Sequence, residues 1–444
     1  MAVRTETRDL DLHQEHPSWP AFLHRAPEVA LALGLVVVLS LGVALRFSAG
    51  EVGDTRTWYD VGRRVLTGAS LVGLPEYRYP PTFALLVAPL SLLPFGVFFF
   101  AWYAINLGLF AVSVHLALRI SFGTTEKIPG RCYWLPGLLV AAFVVDNLAV
   151  GQTNILIMAL LYWSLLEASR NRGWLAGLPL GAAIAIKAFA APLLGYFAWR
   201  RQPRMFASAL LSLAFFLWLL PAPVRGFGRN ATEVNLWAQR VVGPYLAHAR
   251  CGDWGHHGLD YENQSLCAVV RRLLTPADAY PEERHSPTPL YVNLASLSDR
   301  QVGIVLCSLF ALLVAVFLAA CGWQRPRDRA QEGLEYGLAV VGVLLFSAIA
   351  WSYFFVLLLL PVTGALRVLR RPRRLSPASV WALRLALGGL GLATLLLLDA
   401  HSRALGNLCW ATVLWFAVLA LACRNLRTRS QHRVVRYQEP PQLP

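Results

Sequence analysis

The sequence predicts an all-α polytopic membrane protein of about 12 transmembrane helices, with short re-entrant or interfacial helices in its outer loops. Three observations predict it. Hydrophobic residues make up 56% of the 444 positions and charged residues only 15%, with a mean hydropathy of +0.50. Soluble domains run nearer about 45–50% apolar and about 25% charged. The apolar residues come in runs near bilayer length, about 17–25 residues. Between these runs lie short segments carrying most of the Lys and Arg.

A net charge of +15 would suggest nucleic acid in a soluble chain. Here its distribution follows the positive-inside pattern and describes topology. No nucleic-acid partner is expected, and anionic lipid head groups are the natural contacts of the basic loops. Residues 1–28 form a polar N-terminal segment, and the apolar run after it is too long for the core of a cleaved signal.

The spans follow in order. Residues 29–45 form the first, and an outer loop follows at 46–81, with an amphipathic stretch at 58–66. Residues 82–93 are short and proline-bounded, which predicts a re-entrant or interfacial segment. Full spans follow at 95–118, 135–150 and 155–166, the last two joined by Gly151-Gln152-Thr153-Asn154. Residues 174–199 are apolar with basic residues at both ends. Two half-length helices meeting near Lys187 satisfy the charge rule there, and broken helices often line a substrate site. Further spans are expected at 206–220 and 302–321, as a hairpin over 334–366, and at 380–398 and 405–421. The long outer loop is 221–300, the membrane domain runs 29–422, and residues 423–444 form a basic tail. Both termini then face the cytoplasm of a multi-pass cell-membrane protein, and no internal repeat is visible.

Several polar residues invite chemistry. Asp54 follows the first span closely. It reads either as a general base within reach of an acceptor hydroxyl or as the cap of the next helix, and spacing alone favours the cap. Arg63 and Arg64 read as an anion-holding pair or as a snorkelling face. Lys187 is an ionisable residue in an apolar run, which marks a functional position. Gln152 and Asn154 at a hairpin tip suit sugar hydroxyls or interhelical contacts. Cys251 and Cys267 share the long outer loop and read equally as a disulfide or two thiols. Asp253, His256, His257 and Asp260 match no metal-ligand spacing and read as a polar loop. No phosphate-binding glycine loop and no nucleotide fold are present.

Four segments together resemble glycosyltransferase family 87, which contains polyprenyl-phosphate-mannose-dependent mannosyltransferases of the C-type superfamily. They are Asp54 with Trp58 and Tyr59; Tyr77-Arg78-Tyr79-Pro80-Pro81 leading to Leu93-Pro94; Gly151-Gln152-Thr153-Asn154; and Ala185-Ile186-Lys187 through Pro192 to Arg200 and Arg201. Asn263-Gln264-Ser265-Leu266 is a weaker fifth. One stretch departs from the family pattern of Ser-Pro-x-x-Trp followed by His. Here it reads Ser347-Ala348-Ile349-Ala350-Trp351-Ser352-Tyr353-Phe354, with Tyr353 at the His position.

The resemblance implies a C-type fold and transfer of a sugar, mannose being the best-known, from a polyprenyl-phosphate donor. The acceptor would be a glycan or glycolipid on the outer face, with inversion at the anomeric carbon. It implies Asp54 as general base and fixed cations on the leaving phosphate, Lys187 first and Arg63 or Arg78 second. Tyr79, Gln152, Asn154, Asn263, Gln264 and Tyr353 would meet sugar or acceptor. A phosphate is already a good leaving group, so no metal and no cofactor are expected. A transporter or flippase of lipid-linked sugars is the rival reading, and a non-catalytic scaffold the third. The first predicts internal repeat symmetry; the second draws on the altered 347–354 stretch.

Overall fold

The computed structural model describes residues 34, 37, 40–72, 74, 77–124, 126, 128–248, 258–280, 288–326 and 328–438, with side chains omitted at 246–248 and beyond 429. Cys251, Asp253, His256 and His257 lie outside the described residues, as does most of the expected first span. Cys267 is engaged in a disulfide.

Every regular element among the described residues is helical. Residues 40–48 are helical and lead to α1 (Thr55–Leu66), α2 (Pro81–Val87), α3 (Phe95–Phe122), α4 (Arg131–Leu139), α5 (Ala141–Val150), α6 (Asn154–Ser169), α7 (Gly173–Ile186) and α8 (Pro192–Trp199). Then come α9 (Pro203–Arg225, loosened at Phe215–Leu219), α10 (Phe227–Trp237), α11 (Leu266–Leu274) and α12 (Asp299–Cys321). The chain closes with α13 (Arg329–Leu345), α14 (Leu359–Leu369), α15 (Pro377–Leu395) and α16 (Asn407–Gln438).

By length and apolar composition, six helices can cross a bilayer, or seven if α4 and α5 are one span bent by 62°. This is fewer than the expected twelve. The physical reason is length: α6, α7 and the 188–199 stretch are apolar but run only 10–17 residues. At 1.5 Å per residue that is about 15–25 Å, short of the ~30 Å hydrocarbon core.

The break expected near Lys187 is real. Pro179 is accommodated inside α7, but the helix ends at Ile186, and Lys187 turns to an extended conformation (φ −147°, ψ 109°). A short 3-10 turn at Ala188–Ala190 follows, and Pro192 opens α8 from its first turn, where a missing N–H costs nothing. α2 likewise starts at Pro81 and lasts seven residues, so 82–93 does not cross.

Helices pack through small residues where they approach most closely. A Cβ added to Gly177 of α7 would lie 2.5 Å from the Ser208 Cβ of α9, so only glycine allows the approach. Ser208 Oγ donates to the Trp174 carbonyl (2.7 Å) and Ser212 Oγ to the Leu178 carbonyl (2.8 Å) across the same seam.

The central element is the 3-10 helix Ser352–Leu358, continued by α14. Tyr162 of α6 pins the junction: its hydroxyl donates to the Leu357 carbonyl (2.8 Å) and accepts from the Leu360 N–H (2.9 Å). Phe143 of α5 packs on Phe355, with ring centres 5.8 Å apart. At the far end of α8, Arg200 is buried against Glu335 of α13. Its Nε donates to Oε1 (2.7 Å), Tyr196 donates to the same oxygen (2.6 Å), and Arg200 Nη1 holds the Gly322 and Gln324 carbonyls (2.9 Å each).

Candidate active site

The α5–α6 turn sits at the middle of the site. Gly151 closes α5 in the left-handed region (φ 75°), with the Gln152 N–H on the Asn147 carbonyl (2.9 Å). Two indoles grip the Gly151 carbonyl: Trp58 Nε1 of α1 (2.8 Å) and Trp102 Nε1 of α3 (2.9 Å). Asn147 Nδ2 adds a bond to the Gln152 carbonyl (3.2 Å). These bonds fix the direction of the Gln152 side chain.

Asp54 stands immediately before α1, and its N–H donates to the Val150 carbonyl (2.9 Å). Its side chain does not cap the helix. Instead its Oδ2 accepts from Gln152 Nε2. The other end of that amide faces the opposite charge: Oε1 of Gln152 accepts from Lys187 Nζ (3.3 Å) and from the Tyr79 hydroxyl (3.2 Å). Only this orientation of the amide suits a carboxylate on one side and two donors on the other.

Lys187 Nζ also donates to Asn154 Oδ1 (2.9 Å). Its ammonium lies 4.4 Å from the Phe354 ring centre, 5.4 Å from Tyr79 and 5.9 Å from Tyr353, within cation–π range. No carboxylate among the described residues pairs with it directly. The Nδ2 of Asn154, on a fully buried side chain, has no hydrogen-bond partner. Tyr79 bonds Thr153 Oγ1 as well (3.1 Å). Burial pushes the Tyr79 phenol well above its ordinary value, and the charge of Asp54 adds to this, so the hydroxyl remains a donor.

Thus Asp54, Tyr79, Gln152, Asn154, Lys187 and Tyr353 form one cluster. Arg78 lies beside it. A cavity of about 260 Å³ is lined by Tyr77, Arg78, Tyr79, Glu233, Trp237 and Arg240 together with apolar side chains, and Tyr79 is the wall it shares with the cluster; Glu233 is itself paired with Arg225. Arg63 is not part of either, because it stands on the exposed face of α1, opposite Trp58, Val61 and Val65.

Asn263 and Gln264 bond to backbone. Asn263 donates to the Gly258 carbonyl (2.8 Å) and accepts from the Ser265 (3.1 Å) and Ala350 (3.1 Å) N–H groups. Gln264 Nε2 donates to the Tyr261 and Arg403 carbonyls (2.7 Å each) and Oε1 accepts from Leu408 N–H (3.3 Å). Both are buried and bonded to backbone, so they tie the outer loop to the 347–351 corner.

Sequence reasoning missed Arg240, the two indoles on Gly151, and a second carboxylate, Asp146 of α5, which accepts from Ser352 Oγ. An aspartate in the apolar run 135–150 is the signal that marks it.

A sequence profile of glycosyltransferase family 87 matches residues 77–348, more than half of the chain; Asp54 precedes the matched stretch. An alpha-(1->3)-arabinofuranosyltransferase of Mycobacterium tuberculosis is 31% identical over 145 residues, 31% of this chain and 32% of that protein. The chain thus aligns with about a third of the length of these curated relatives. A polyprenol-phosphate-mannose-dependent alpha-(1-2)-phosphatidylinositol mannoside mannosyltransferase of Mycolicibacterium smegmatis is 26% identical over 407 residues, 85% of this chain and 82% of that protein. No solved structure matches the chain.

Proposed function

The chain belongs to glycosyltransferase family 87, and from that premise we propose that it moves a sugar from a polyprenyl-phosphate donor to a glycan or glycolipid acceptor within the membrane. The observation that carries this is the Lys187–Gln152–Asp54 arrangement. It joins a lysine that pairs directly with no carboxylate among the described residues to a carboxylate through one amide. A lysine held only by amide oxygens and ring faces is stabilised in its charged form by an incoming anion, and a phosphate ester is the anion this donor class supplies.

In this reading Asp54 takes the proton of the acceptor hydroxyl as that oxygen attacks the anomeric carbon. The bond from that carbon to the phosphate oxygen breaks on the opposite face, and the configuration inverts. Lys187 lies where charge grows on the leaving phosphate, and stabilising it there lowers the barrier. Tyr79 separates the two halves: its hydroxyl orients Gln152, and its ring lines the Arg78 cavity. Arg78 and Arg240 line that cavity, and with Glu233 engaged by Arg225 they leave it a net basic lining suited to the donor phosphate on its way in. Tyr353 holds the position of the family's histidine and acts through its ring face on Lys187.

The same proposal includes topology. With the first span at 29–45 and each short apolar helix counted as a crossing, the chain has about twelve spans in a C-type fold. Both termini face the cytoplasm, as the basic groups at Arg200–Arg204, Arg367–Arg374 and Arg424–Arg429 require under the positive-inside rule. The site then opens on the extracytoplasmic face.

The test is sugar transfer by purified protein in liposomes, supplied with radiolabelled polyprenyl-phosphate-mannose, its arabinose counterpart, and a lipid and glycan extract. Label in a new product supports the enzyme. Movement of intact donor between leaflets without a product supports the transporter instead.

A further inference from the structure

Asp146 and Ser352 have no part in the chemistry above, yet they adjoin it. Asp146 is on α5, one residue before Asn147, whose side chain fixes the Gln152 carbonyl. Ser352 opens the 3-10 helix and directly precedes Tyr353, whose ring faces Lys187. The Ser352 hydroxyl donates to Asp146 Oδ2, and this is the sole hydrogen bond of the Asp146 side chain among the described residues.

A carboxylate with one oxygen engaged and the other open is a strong acceptor for hydroxyl groups. Its serine partner fixes the rotamer and leaves the second oxygen for a ligand. A second observation points to a missing ligand at the same end of the molecule. Asn154 Nδ2, fully buried beside Lys187, has no partner, and an orphaned buried donor costs free energy that a bound acceptor oxygen removes.

We propose that Asp146, held by Ser352, is a sugar-binding residue that accepts hydrogen bonds from neighbouring hydroxyls of a sugar ring bound beside Tyr353. This rests on the glycosyltransferase reading and deepens it. A carboxylate that accepts from two hydroxyls discriminates against sugars lacking one of them, because the desolvated oxygen is then unpaired. The chemistry fits either the donor sugar or the terminal acceptor sugar, and binding distinguishes the two.

The experiment is titration of the full-length protein in nanodiscs with three probes: short-chain polyprenyl phosphate, its mannosyl and arabinofuranosyl esters, and methyl α-mannoside added with polyprenyl phosphate. Native protein is compared with Asp146→Asn, which keeps the shape and the Ser352 bond, and with Ser352→Ala. If the donor sugar is held, both variants bind a sugar ester about tenfold or more weakly and bind the sugarless lipid normally. If the acceptor sugar is held, only methyl α-mannoside is weakened by that factor. Variants equal to native with every probe, or equally weak with the sugarless lipid, overturn the proposal, since a purely architectural pair has no reason to distinguish sugar from phosphate. Native protein that ignores every sugar overturns the glycosyltransferase reading itself and the inference with it.

Discussion

Lys187 and Asp54 are joined through opposite ends of a single amide: Gln152 accepts from Lys187 Nζ at 3.3 Å on Oε1 and donates to the Asp54 carboxylate through Nε2. The residues are 133 positions apart in the chain, and the Gly151 turn, gripped by Trp58 and Trp102, is what brings them into register.

Gln152 is therefore the residue whose loss misplaces both charges without removing either. Gln152→Ala is expected to lower kcat roughly tenfold to a hundredfold, in the range seen when reacting groups shift by about an ångström. Steady-state transfer assays give the value. An unchanged kcat would mean that neither charge depends on the amide.

Lys187→Met removes the cation while keeping the bulk of its stem. Loss of one preorganised donor to a developing anion costs about 10²–10³ in kcat. The variant is expected to lose that much while its melting temperature holds or rises, because a desolvated charge has gone from a ring-lined site. A fall in stability with kcat intact would make Lys187 architectural.

The Arg200–Glu335 pair makes the opposite prediction. It is buried at the far end of α8 and shares Glu335 Oε1 with Tyr196. Arg200→Met leaves a buried carboxylate unpaired, a change that costs about 3–5 kcal/mol. Thermal melts in detergent are expected to show it, and replacing both members with apolar residues is expected to recover much of the loss.

Stability also carries a pH signature from the outer loop. Burial, with Glu262 adding, pushes the Asp260 carboxyl up to about 6, although the Glu262 and Asn263 N–H groups and Arg272 oppose it. An unfolded aspartate titrates near about 4. Across that interval the folded chain holds more protons than the unfolded one. The contribution is therefore present in full below about 4 and is lost as pH rises through about 6. Melting temperature is expected to fall over this window, and Asp260→Asn, which keeps an acceptor for both N–H groups, to flatten the fall by up to about 3 kcal/mol. Parallel curves for the two proteins would assign the window to another group.

Much of the site was legible in the sequence because each piece is a local punctuation of an apolar run. Lys187 interrupts one stretch, Gly151-Gln152-Thr153-Asn154 joins two, and Tyr79-Pro80-Pro81 opens a third. Such polar residues are costly in a bilayer and stand out there. Asn263 and Gln264 misled because amides serve backbone and sugar equally well, and only the Ala350 and Leu408 N–H groups opposite them decide which. Arg63 misled because charge is visible in sequence and helix facing is not. The number of spans was the least legible feature. Hydropathy measures apolar length, but α6 and α7 stop early, at breaks set by Arg170 and Lys187, and α8 starts afresh at Pro192 and ends at Trp199.

Asp54 is the proposed base in transfer from a polyprenyl-phosphate donor. The most direct test is Asp54→Asn in liposomes with radiolabelled donor and acceptor extract, with donor binding measured on the same preparation. Normal donor binding is expected, with transfer reduced by about a thousandfold, inside the range of about 10²–10⁴ that a general base contributes. Transfer at the native rate by Asp54→Asn would contradict it.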